Sequence, residues 1–149
     1  MKKTPLQYAL DLVSMRDRTE AELRRKMLDK KIETPEIEKA INFLKEKNFL
    51  DDSRFVKNFI ASSKRQGRFG RRRIFQKLKI FGISNELLEE AWQGLDEDSE
   101  EERAIETASK WLSKKGSNDN FKEKLIRHLI GRGFDYDIIK KAMGELNIY

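Results

Sequence analysis

The chain has 149 residues, 39% of them charged, and Lys plus Arg outnumber Asp plus Glu by 32 to 26, a net charge of +6. Cysteine is absent, which excludes disulfides, thiolate metal sites and cysteine nucleophiles, and no apolar run approaches the ~20 residues of a membrane span. A positive balance of this size suits an anionic partner and equally suits a solvated surface, so the charge must be located before it means anything. Lys2-Lys3 gives a basic start, but Gln7, Asp11 and Arg16 interrupt any signal-peptide core, and a soluble cytoplasmic protein is expected.

In chain order, Thr4-Pro5 opens a first helix carrying Leu6, Ala9, Leu12 and Val13. A second follows with Leu23 and Met27 on one face, and Thr19 with Glu22 has the spacing of a capping box at its start. The five-residue steps Met27–Ile32 and Ile32–Ile37 break the helical phase and predict a turn. Thr34 as N-cap and Pro35 at the first helical position then start a third helix with Ile37, Ile41 and Leu44.

The same skeleton recurs 51 residues later as Ile74, Leu78, Ile83, Leu88, Trp92 and Leu95, and again as Leu125, Leu129, Phe134, Ile139, Met143 and Leu146. Ala40, Ala91 and Ala142 keep the register. Gly82 and Gly133 share the turn position that Lys31 holds in the first copy, a place favouring a left-handed residue, and Ser84 and Asp135 are the corresponding caps. Phe55, Val56, Phe59 and Ile60 form the leading helix of the second copy. Ala104, Ala108, Trp111 and Leu112 form that of the third, opened by Ser99 and Glu102 at capping-box spacing. The expectation is an all-α protein of three tandem three-helix repeats, residues 1–50, 51–96 and 97–149, in an elongated array. Trp92 and Met143 share one position of the skeleton and are read as core.

The copies differ in charge. Phe55 to Asn85 contains no Asp or Glu but nine cations, Lys57, Lys64, Arg65, Arg68, Arg71, Arg72, Arg73, Lys77 and Lys79. Glu86 to Glu106 reverses this, with ten acidic residues and Arg103 alone opposing them. Ile74, Leu78 and Phe81 make the expected buried stripe of the basic helix, leaving Arg72, Arg73, Gln76, Lys77 and Lys79 toward solvent. Gly67 and Gly70 bracket Arg68-Phe69 at its entrance, and a helix N-terminus with clustered guanidinium groups suits phosphate or carboxylate recognition. The alternative is a solvated basic face answered by the acidic stretch. Phe69 suits stacking on a base, a partner pocket or the core.

Other chemistry finds little support. His128, the single histidine, aligns with Lys26 and Lys77 on a polar helix face. Asp96 to Glu102 lacks the glycine and alternating ligands of a calcium loop and reads as negative charge at a helix start. There is no phosphate-loop signature and no nucleophile with an evident base, so neither catalysis, a metal nor a cofactor is expected.

The segments Phe49-Leu50-Asp51-Asp52-Ser53-Arg54-Phe55, Gly67-Arg68-Phe69-Gly70, Arg73-Ile74, Leu78 and Gly82-Ile83 resemble the signature of the RecX family, bacterial regulators of the RecA recombinase. Arg18-Thr19 with Glu22-Leu23, and Arg132-Gly133-Phe134 with Asp137, resemble its first and last segments. Asn48 and Lys31 stand where the family carries glycine, both at turns. The resemblance implies tandem three-helix units, no catalysis, and binding to the RecA–DNA filament with modulation of the recombinase, usually inhibition.

Leu50, Asp51, Asp52, Arg54, Phe55, Gly67, Gly70, Ile74, Gly82 and Ile83 are read as structural members of the motif. Asp51 and Asp52 are expected to cap the helix carrying Phe55, with Arg54 pairing back to them. From charge, Lys64, Arg65, Arg68, Arg71, Arg72, Arg73 and Lys77 are the candidate contact surface, of which the motif contains only Arg73. A monomer is expected, with single- or double-stranded DNA as a further partner. The rival readings are a stand-alone DNA-binding protein using the basic helix, and a scaffold for an acidic protein.

Overall fold

The computed structural model describes residues 2–66, 69–94 and 100–149. Among them every regular element is a helix: α1 (Pro5–Met15), α2 (Glu20–Asp29), α3 (Thr34–Glu46), α4 (Asp52–Gln66), α5 (Arg71–Ile80), α6 (Asn85–Gly94), α7 (Glu100–Lys115), α8 (Phe121–Gly131) and α9 (Tyr136–Glu145). The expected skeleton is the core. Leu23, Met27, Ile37, Ile41 and Leu44 are buried, as are Ile74, Leu78, Ile83, Leu88 and Trp92, and Leu125, Leu129, Phe134, Ile139 and Met143. Ile32 and Leu146 are half-buried at the edges, and Leu95, the Asp96–Asp98 linker and Ser99 lie outside the described residues.

The helices pack as two compact units, Met1–Asn58 with Leu78–Ala91, and Phe59–Lys77 with Trp92–Tyr149. Each unit contains one complete outer repeat and part of the middle one. In the first, Ala9, Leu12, Leu23, Met27, Ile37, Ala40, Ile41, Leu44 and Leu50 form a continuous core. In the second, Ala104, Ala108, Leu125, Leu129, Phe134, Ile139, Ala142 and Met143 do the same.

A helix start leaves N–H groups without intrahelical acceptors, and burying them demands partners. At α2 the side chains of Thr19 and Glu22 cap each other's backbone N–H, each at 3.2 Å, the predicted capping box. The fully buried Thr19 hydroxyl also donates to the Phe81 carbonyl at 2.6 Å. The Glu20 N–H donates to Asp52 Oδ1 at 3.0 Å, so a carboxylate from the first turn of α4 caps α2. Gly82 then meets α2: its φ is +81°, and a Cβ there would overlap that of Ala21.

The second unit repeats this arrangement 51 residues on. The Gly70 N–H donates to the Arg132 carbonyl at 2.9 Å, the Arg71 N–H to Glu100 Oε1 at 2.5 Å, and the Arg72 N–H to the Gly133 carbonyl at 3.2 Å. Gly133 has φ +93°, and a Cβ there would overlap the backbone N and Cβ of Arg73. Lys31, the third member of the turn series, keeps φ at +62°, and Asn48 also sits at +62°. The two departures from glycine therefore leave the backbone geometry intact.

Several capping expectations need correction. Asp51 caps α4, accepting the Arg54 N–H at 3.1 Å, but Asp52 serves α2 instead of its own helix. Arg54 donates to the Asn48 carbonyl at 3.1 Å, satisfying a C-terminal turn and not the two aspartates. The helix α3 begins at Thr34 itself, with Glu33 at the cap position and no side-chain capping bond. Asp135 holds the cap position of α9 without making the cap bond, whereas Ser84 caps α6 through the Leu87 N–H at 3.3 Å. Phe81 falls just beyond α5, half-buried and edge-on to Phe55 at 5.2 Å.

Gly82→Ala combines a strained positive φ with overlap against Ala21 and is expected to cost about 2–4 kcal/mol in urea unfolding. Lys31→Gly, at a turn of the same conformation, should leave stability level or raise it by up to about 1 kcal/mol. Asp52→Ala strands the Glu20 N–H and should cost about 1–2 kcal/mol. Burial pushes the Asp52 carboxyl above its ordinary value despite that hydrogen bond. Asp52→Asn, keeping the acceptor without the charge, is therefore expected to stay within about 0.5 kcal/mol of the parent.

Candidate functional site

The start of α5 is an unusual piece of electrostatics. Arg71, Arg72 and Arg73 occupy its first turn, which contains no acidic residue, although the helix dipole favours negative charge there. The Glu100 carboxylate, from the first turn of α7, supplies that charge at the Arg71 N–H. One part of the acidic stretch thus answers the backbone of the basic helix.

The basic side chains divide by what they touch. Lys64 places Nζ 4.6 Å from the centroid of the Trp92 ring, with the guanidinium carbons of Arg71 and Arg103 at 5.6 and 5.8 Å. Phe75 meets Trp92 edge-on at 5.7 Å and itself lies 4.8 Å from the Arg71 guanidinium. Half-buried Phe69 is similarly covered, by Lys77 at 3.9 Å and Arg132 at 5.6 Å. Each such contact stabilises by about 0.5–1 kcal/mol in water and more when desolvated, so these cations help pack the second unit. Arg72 donates to Asp135 at 2.7 Å, which explains why that carboxylate makes no cap bond. Arg65 and Arg73 are exposed, and Arg68 and Gly67 lie outside the described residues.

The first repeat handles its cations differently. Arg16 pairs with Glu22 at 2.5 Å, Arg24 forks onto Glu38 at 2.8 and 3.2 Å, and Lys45 meets Glu20 at 2.8 Å. Hydrogen bonding from Arg24 holds the Glu38 carboxyl below its usual value. In the middle repeat, where Phe55 to Asn85 contains no carboxylate, several cations also lie over aromatic rings.

Charge density along the chain does not single out a second cationic feature. A cleft of about 300 Å³ opens between α7 and α8, lined by Thr107, Lys110, Trp111, Lys114, Lys115, His128 and Arg132. Lys110 and Lys114 lie one turn apart, as do Trp111 and Lys115, a spacing that sequence alone could have revealed. His128 is half-buried there, not on an open polar face, with its ring 6.4 Å from Trp111. Desolvation, reinforced by the positive charge of Arg132, lowers its pKa from 6.5.

Among the described residues, no group of three or more His, Cys, Asp and Glu could hold a metal ion, and no helix is long and apolar enough to cross a membrane. Fold and surface together define a helical repeat protein whose concentrated chemistry is cationic and aromatic. Models of the first, second and third three-helix domains of RecX match residues 6–44, 51–91 and 98–143. The chain belongs to the RecX family.

Among similar proteins, the regulatory protein RecX of Clostridioides difficile (strain 630) is 34% identical over 140 residues, covering 93% of this chain and 66% of the relative. That of Clostridium botulinum (strain Alaska E43 / Type E3) is 36% identical over 132 residues, covering 86% and 61%. The chain thus spans less than two thirds of the length of these curated relatives. The crystal structure of RecX from Lactobacillus salivarius shares the fold with a TM-score of 0.86 at 24% identity, covering 97% of this chain and 96% of that one.

His128 provides a direct check on the cleft. Its folded pKa is depressed, so stability is fully present above the ordinary value of 6.5 and is lost as the pH falls through the folded value. An NMR titration of this single imidazole should give a pKa below 6.5; a value at or above it would contradict the half-buried, positively flanked environment.

Proposed function

We propose that the chain regulates the RecA recombinase, binding the RecA–DNA filament and inhibiting its ATPase and strand-exchange activities. Membership of the RecX family through all three repeat domains carries this reading. The cationic character of the middle repeat supports it, because a filament presents both an acidic protein surface and phosphates. Arg65 and Arg73 are the strongest contact candidates, being exposed, with Arg68 beside them in sequence. Lys64, Arg71 and Lys77 approach the filament with their charges already resting on rings, and Arg72 with its charge on Asp135. The protein acts as a monomer in the cytoplasm.

A second reading, direct binding to bare DNA through α5, draws on the same exposed arginines. Its signature is a log–log salt slope of about −0.9 per neutralised duplex phosphate, or about −0.7 for single strands.

The deciding measurement is DNA-dependent ATP hydrolysis by the cognate recombinase, titrated with this protein. Inhibition at stoichiometric amounts is expected, and Arg65→Glu with Arg73→Glu should weaken it at least about tenfold, a loss of ~1.4 kcal/mol, while the circular dichroism stays helical. Absence of any effect on hydrolysis or strand exchange would refute the proposal. Full inhibition by the double variant would remove these two arginines from the contact surface.

A further inference from the structure

The cleft between α7 and α8 is lined by no residue of the basic helix and has its own chemistry. Lys110, Lys114 and Lys115 are exposed, Arg132 is half-buried beside them, and no carboxylate lines the opening. Lys110 pairs with Glu106 at 3.1 Å, an exposed contact of the kind worth little. Half-buried Trp111 offers an indole surface among these cations. We propose that this cleft holds one nucleotide of a single-stranded nucleic acid, its base on Trp111 and flanking phosphates on Lys110, Lys114, Lys115 and Arg132.

Three observations select this occupant. Cations interleaved with an aromatic ring form the arrangement that tracks a single strand, because every base has a face to stack while phosphates need only positive charge. A volume of about 300 Å³ is at the small end of ligand clefts, fitting one base and not a folded partner or a duplex. The lysines are spread along α7, with Lys110 and Lys114 about 6 Å apart in helical rise, and so address successive phosphates along a strand. A free nucleoside triphosphate would instead be expected to find a converging cradle of backbone N–H groups. The depressed pKa of His128 fits the same picture, a half-buried ring beside the positive charge of Arg132 that an anion would relieve. None of this rests on the recombinase reading, since the lining comes from α7, α8 and the turn at Arg132 and includes no residue of α5.

The test uses the full chain and oligo(dT), with no recombinase present. His128 is the only histidine and Trp111 one of two tryptophans, the other being buried Trp92, so both report on the cleft with little background. Oligo(dT) should quench tryptophan emission and shift the His128 ring resonances with one common saturation curve. Lys114→Gln with Lys115→Gln, at exposed positions that leave the core untouched, should weaken binding at least tenfold. The same pair should flatten the log–log salt slope by about 1.4, two single-strand phosphates at ~0.7 each. Trp111→Leu should abolish the quench and weaken binding. Unchanged affinity and slope in the lysine pair would overturn the proposal. So would equal His128 shifts with poly-glutamate or tripolyphosphate, meaning a general anion site, or thymidine monophosphate binding as tightly as the strand, meaning a free-nucleotide site.

Discussion

The buried starts of α2 and α5 impose the constraint around which each unit is arranged. Their leading N–H groups have no acceptors in their own helices, and water cannot reach all of them. Both starts are met by the same pair of elements: a carboxylate from the first turn of another helix, and the turn between two more. Asp52 and Gly82 do this for α2, Glu100 and Gly133 for α5. The contact repeats with the 51-residue period even though its chemistry changes, a Thr19 hydroxyl in one copy and a Gly70 amide in the next. A repeat of about 50 residues buries too little to be stable alone, so this joint shares in the stability that a larger core would supply.

The joint also gives the signature residues a physical reading. Leu50, Ile74 and Ile83 are buried, Asp51 caps α4, Arg54 closes the turn at Asn48, and Phe55 packs on Phe81. Gly82 is required by proximity as much as by conformation. The comparison with Lys31 makes this plain, because a lysine holds φ at +62° at an exposed turn, while Gly82 faces Ala21. A short motif of this kind describes how helices meet.

Helical period and turn phase made the three repeats and nearly the whole core legible from the chain, because those signals lie within one or two turns. The helix start at Thr4-Pro5 and the capping box at Thr19 were legible for the same reason. What escaped was long-range. Asp52 sits next to a helix it could cap, and only the fold shows that it reaches Glu20, 32 residues away, instead. Asp135 matched a cap in type and position, yet Arg72, 63 residues distant, draws off its carboxylate. The charge of the middle repeat was equally visible, but which cations rest on aromatic rings depends on Phe69 and Trp92 being brought beside them. The cleft at Trp111 was missed for a different reason: the one-turn spacing of Lys110 with Lys114 and Trp111 with Lys115 was readable, but His128 and Arg132 lie far along the chain and only the fold brings them opposite.

The three consecutive arginines of α5 show how folding and recognition can share residues by using different atoms. The backbone of Arg71 is held by Glu100, that of Arg72 by Gly133, and the Cβ of Arg73 lies against Gly133. Their guanidinium groups diverge, onto Phe75 and Trp92, onto Asp135, and into solvent respectively. The carboxylate at the helix start offsets the dipole's preference against cations there and so permits three of them in succession. Of the three head groups, that of Arg71 is the most committed to packing and that of Arg73 the most available to a partner. Positive charge on this segment is therefore divided between holding the second unit together and meeting an anion. The division follows from one physical fact, that the segment has no carboxylates of its own and must find its counterparts in rings, in other helices or in another molecule.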